Sequence, residues 1–191
     1  STVQAGGALA VSGSVAGALN TTAVGTSLGT LNVGSASITA SGAVTQTGVL
    51  TNAGALTVAA GTNAITLTQN NAITGTATLT GGTTQLTNTL PTTAVLATGP
   101  ATLTATGKTL SVSGTSTGLL TTNAGATSLG TLNVGSASIT ASGAVTQTGV
   151  LTDAGALTVA AGTNAITLAQ NNAITGTATL TGGTTQLTNT L

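Results

Sequence analysis

Apolar and hydroxyl-bearing residues alternate in short runs along most of this chain. In Ala64-Ile65-Thr66-Leu67-Thr68, Ile65 and Leu67 fall on one side of an extended backbone and Thr66 and Thr68 on the other. That period of two predicts half-buried β-strands. A phrase L-x-V or a close relative recurs at Leu9, Leu31, Leu56, Leu79 and Leu103, in steps of roughly 22–25 residues. Thr, Val and Ile favour a pleated surface because their branched Cβ is stiff and packs well there. The 28 glycines and abundant threonines oppose helix. Asn52-Ala53-Gly54, Gly61-Thr62-Asn63, Asn70-Asn71 and Gly81-Gly82 are predicted to separate the strands, since Gly and Asn supply the backbone angles of tight corners.

A longer period lies over this one. Residues 26–90 and 127–191 align without a gap at an offset of 101, and 63 of the 65 positions are identical. The two exceptions are Asn52/Asp153 and Thr68/Ala169. Upstream the match decays, with nine identities between residues 1–25 and 102–126. The chain therefore reads as repeat copy 1 over residues 1–90, an inter-repeat segment over 91–101 holding both prolines, and repeat copy 2 over 102–191. Fixed periods of about 20–50 residues point to solenoids or stacked arrays. The expected fold is all-β: a repetitive parallel β-solenoid, or β-helix, of about eight rungs of about 22–24 residues, roughly 40 Å long at the strand spacing.

Composition narrows the function more than the fold. The chain has 191 residues with one cation, Lys108, and one anion, Asp153, and no His, Cys, Met, Phe, Tyr or Trp. Ordinary domains are about a quarter charged. General acid–base chemistry needs a His, a carboxylate pair or another titratable group within reach of substrate. One Asp and one Lys, well separated in sequence, do not make a paired-carboxylate site. Zinc and calcium sites need ligand clusters that are missing, and nucleic-acid binding needs a basic stripe and stacking aromatics. The expectation is a non-enzymatic protein with no catalytic, cofactor-binding or metal site. No transmembrane helix is expected, because no apolar run approaches the length of a membrane span. Lys108 reads as a solvated turn residue. Asp153 reads as a turn variant of Asn52, since both types accept backbone hydrogen bonds at corners.

The phrases Gly54–Val58 (GALTV), Gly29–Val33 (GTLNV) and Ala60–Leu67 (AGTNAITL) resemble the strand repeats of large secreted bacterial surface proteins. The filamentous haemagglutinin-type adhesins and autotransporter passengers are the families they most resemble. The resemblance implies a right-handed parallel β-helix, export to the cell surface, and a role as filament, stalk or adhesin rod, with a cell-surface or host ligand. The stretch Ala97–Gly114 (ATGPATLTATGKTLSVSG) resembles the shafts of trimeric viral and phage fibres, which implies an alternative architecture whose core three chains share. Thr-x-Thr triplets at Thr45–Thr47, Thr66–Thr68, Thr76–Thr80, Thr87–Thr89 and Thr102–Thr106 suggest a further alternative, an ice-binding threonine face, although in sequence they do not recur at one fixed position per turn. Uncharged strand edges recruit partners. End-to-end self-association, or further repeats of the same chain, is therefore expected at both ends.

Overall fold

The computed structural model describes residues 1–191, and its 19 strands form one sheet coiled upon itself. There is no helix. Every strand pairing is parallel, each rung bonding to the rung before and the rung after. This is the predicted parallel β-solenoid. Its turns are visible in the strand Gly25–Ala40, which wraps three faces in one pass. Thr26–Leu28 pairs with Val44–Gln46, Leu31–Val33 with Leu50–Asn52, and Ala36–Thr39 with Leu56–Ala59.

The coil is tighter than the L-x-V spacing predicts. Ala8 stacks on Gly25 and Thr26 on Val44, both steps shorter than any interval between the L-x-V phrases, and the longer step from Val44 to Ile65 is still below them. The chain makes about ten turns rather than eight, and the rod is roughly 45 Å long at the strand spacing. The cause is that all faces use the same alternation. Leu9 stacks on Thr26, whereas Leu31 stacks on Gly13. Stepping from Leu9 to Leu31, from Leu31 to Leu56 or from Leu79 to Leu103 therefore advances one turn plus several residues, onto another face, whereas Leu56 to Leu79 is one turn plus two residues on the same face.

Inward residues stack in columns. Leu67, Leu86, Leu103, Thr122, Ile139, Val159 and Leu180 form one that climbs most of the rod. Such columns merge into a single apolar cluster of 41 buried residues. The core closes within one chain, so the trimeric shaft, with its core divided among three chains, is not the architecture. Several inward positions carry Thr in place of Val. The hydroxyls of Thr21, Thr84 and Thr122 are buried without a hydrogen-bond partner.

The segment 91–101 is built into the same coil. Thr92–Thr98 forms a strand between Thr76–Gly81 below and Leu110–Ala124 above. Two findings concern punctuation. Gly61 does take a left-handed turn conformation, with φ of 58°. Asn70 and Asn71, in contrast, do not divide strands: the strand Ile65–Ile73 runs through them, and Asn71 is fully buried.

The 101-residue unit does not contain a whole number of turns. Climbing one column from Thr26 through Val44, Ile65, Thr84 and Ala101 reaches Leu120 after five turns. Thr127, the counterpart of Thr26, lies seven residues further along, on another face. Copy 2 is accordingly turned about the axis. Its Ala137–Thr140 strand stands above the first face of copy 1, whereas the equivalent Ala36–Thr39 belongs to the third.

In each copy, one corner is held over three rungs by backbone packed on backbone. Gly34, Gly54 and Gly75 stack there, and a Cβ at Gly75 would overlap the Gly54 carbonyl one rung below. Gly61 faces open space. Gly75→Ala is expected to destabilise the fold by about 2–3 kcal/mol through forced backbone displacement. Denaturant unfolding checks this, and a loss no greater than that of an exposed Thr80→Ala control would contradict the close-packed corner.

Candidate functional site

Asp153 and Lys108, the only ionisable side chains, lie in unlike surroundings. Asp153 ends the strand Leu151–Asp153 with its side chain turned inward and fully buried. One carboxylate oxygen accepts the Gly155 N–H at 3.0 Å, and the other has no partner. Burial raises its pKa above the ordinary value of 3.8, and the Gly155 hydrogen bond offsets part of that rise. Lys108 is exposed in the turn before Leu110. No hydrogen bond joins it to Asp153. The corner reading of Asp153 therefore holds for its backbone bond, with the addition that the corner faces the core. In copy 1, Asn52 occupies the same buried place, and its amide donates to the Gly54 carbonyl at 2.6 Å.

The best-satisfied polar groups are buried asparagines, among them Asn71, which the sequence pattern places in a turn. Asn71 Oδ1 accepts from the Leu50 N–H at 2.9 Å and from Gln46 Nε2 at 2.5 Å. Its Nδ2 donates to the carbonyls of Leu67 and Thr87 at 3.1 and 3.0 Å. The side chain thus ties three consecutive rungs together where the strand register shifts between Leu67 and Asn71. Asn172 repeats the arrangement with Leu151, Gln147, Leu168 and Thr188. Asn88, stacked on Asn71, accepts the Ile73 N–H and donates to the Ile73 carbonyl, both at 2.8 Å. These contacts are structural rivets. The only signal for them in sequence was an Asn with apolar residues spaced about it, which resembles a turn.

The outer surface carries a regular array. On one face Gln85, Thr102, Thr121, Ser138, Thr158 and Thr179 stack directly upon one another. Two residues along each strand, Thr87, Thr104, Asn123, Thr140, Ala160 and Thr181 form a second rank. All of these residues project outward around a core position. Thr-x-Thr itself fills two of these six rungs, Thr102–Thr104 and Thr179–Thr181, and the other four carry Gln85–Thr87, Thr121–Asn123, Ser138–Thr140 and Thr158–Ala160. Two shallow grooves also occupy equivalent places in the two copies. One, of about 390 Å³, is lined by Thr26, Ser27 and Thr45, and the other, of about 400 Å³, by Thr127, Ser128 and Thr146.

Residues 16–80 and 117–181, together about two thirds of the chain, match the family described as "Repeats of unknown function (DUF5649)". The chain belongs to this repeat family. The two matched segments sit at the same 101-residue offset as the internal duplication, so one family repeat corresponds to most of one copy. No curated protein and no solved structure matches the chain.

Two outcomes follow from the buried polar groups. Asn71→Ala leaves the Leu50 N–H and two carbonyls unpaired in the core and is expected to cost about 3 kcal/mol. Equilibrium unfolding measures it, and a cost below that of an exposed Asn32→Ala control would refute the rivet. For Asp153, the raised pKa means that stability is fullest below pH 3.8 and falls as pH rises through the higher folded-state value. Asp153→Asn is expected to raise the melting temperature at pH 7 and to abolish that fall. Identical pH–melting curves for the two proteins would contradict the burial of an unpaired carboxylate.

Proposed function

We propose that this chain is a non-enzymatic structural protein, a segment of an extracellular or cell-surface rod of the filament, stalk or adhesin kind. The observation that carries the reading is the continuity of the core across the junction between copies. Segment 91–101 contributes strands that bond to rungs on both sides, so added repeats lengthen one rod rather than string separate domains together. Nearest-neighbour stacking of this kind makes length and stiffness the properties that repetition increases.

A further feature supports the reading. Solubility rests on Thr, Ser and Asn with a formal net charge of zero, and such a surface offers no electrostatic barrier to association. End-to-end self-association, or stacking on further repeats of the same chain, belongs to this proposal and rests on the absence of charge along the strands. Export to the cell surface belongs to this proposal and rests on the resemblance of the GALTV and AGTNAITL phrases to secreted repeats.

The test is a series of tandem chains with two, four and six 101-residue units. Maximum dimension by small-angle scattering or electron microscopy is expected to rise linearly, by roughly 26 Å per unit, at the strand spacing. A dimension that grows as a compact globule, or as a flexible chain of beads, would overturn the rod.

A further inference from the structure

The array of outward hydroxyls has no part in holding the fold together. From Ala101 to Thr181 its column runs rung to rung without a register shift. Most of the projecting groups are Thr or Ser, with one Asn and one Ala; none is charged. The backbone fixes the spacing: about 4.8 Å between ranks along the rod and about 6.6 Å between the two residues of a triplet. Side chains anchored on a β-ladder lose little further freedom when they bind. We propose that this face binds ice, by holding a layer of water in register with the crystal through its ranked hydroxyl and methyl groups.

Three considerations select ice over other occupants. First, the face and the crystal are both uncharged, and a charged side chain would keep a hydration shell that matches no lattice. Threonine supplies a hydroxyl that fixes a bridging water at little cost and a methyl that limits how other water approaches. The oxygen net of an ice plane is rectangular and of similar dimensions to the ranks. Second, a neutral polysaccharide would ordinarily be gripped by stacked aromatic rings, and the chain has none. Third, a second copy would gain too little. A strip of roughly 45 Å by 10 Å along the whole rod buries about 900 Å² in total, below the ~1,200–2,000 Å² of stable complexes.

The mismatch between repeat and coil adds a second face. The triplets Ser37–Thr39, Thr57–Ala59 and Thr78–Thr80 of copy 1 stack on one another just as their counterparts do. They stand on the third face, and copy 2 carries its own triplets above the first. One chain accordingly presents the array on two sides and can engage ice in two orientations.

Thermal hysteresis and inhibition of ice recrystallisation by the whole chain test this. Both are expected in the native protein. Thr57→Lys with Thr78→Lys removes the copy 1 array, and Thr102→Lys with Thr158→Lys the copy 2 array. All four positions project outward, and unaltered circular dichroism and melting verify folding. Each pair is expected to diminish the effect and the four together to abolish it. Thr152→Lys adds a charge on another exposed face and is expected to change nothing. The proposal is overturned if the native chain shows neither effect at its highest soluble concentration, if the fourfold variant keeps the effect, or if Thr152→Lys removes it equally. It is also overturned if the array variants leave ice untouched but turn an oligomer into a monomer in sedimentation, which would make the face a contact between copies.

Discussion

Each rung of this protein is bonded to the rung below it, and that stacking is the constraint on which everything else depends. A lone turn of three short strands leaves most of its N–H and C=O groups unpaired and its apolar residues wet. Parallel stacking pairs the backbone groups with neighbours above and below. It also forces residues into columns, so the choice at one position is limited by the residues over and under it. Inward columns are filled by Val, Leu, Ile, Ala and an occasional Thr. Corners where backbones touch are filled by glycine, as at Gly34, Gly54 and Gly75. A coil that meets these demands needs no charged or aromatic side chain.

The same constraint explains where polar groups enter the interior. A coil whose rungs differ in length has places where the ladder falls out of step. Asn71 and Asn172 stand at two of those places and replace lost backbone bonds with amide bonds of their own. An amide does this well because it donates and accepts at once. A carboxylate can only accept when ionised, so Asp153 takes the Gly155 N–H where Asn52 donates to the Gly54 carbonyl; each leaves one oxygen buried and unpaired, and only that of Asp153 carries charge. The two copies are a natural comparison of those side chains in one setting.

Much of the architecture was legible in sequence, for physical reasons. Alternation such as Ala64–Thr68 states which residues face inward. The 101-residue offset states that the chain repeats, and the near-absence of ionisable groups limits its chemistry. The rung length was not legible, because L-x-V serves every face and its spacing mixes turns with faces. Thr122 reads as polar yet lies in the core as a Val replacement, and Asn71 reads as a turn yet is a buried rivet. The outward hydroxyl ranks were hidden for the same reason as the rung length. Thr102 stacks on Thr121 and Thr121 on Ser138, two steps of unequal length, so no single period in the sequence aligns them.

The rung-on-rung register can be measured directly. The chain has no cysteine, so a Thr102→Cys, Thr121→Cys pair introduces the only two thiols, at positions stacked in adjacent rungs. Adjacent-strand spacing of about 4.8 Å falls within the Cα separation of natural disulfides. Mild oxidation followed by mass spectrometry is expected to find an intramolecular bridge in nearly every molecule, with melting unimpaired. Thiols that stay free, or that bridge only between chains, would contradict the coil described here.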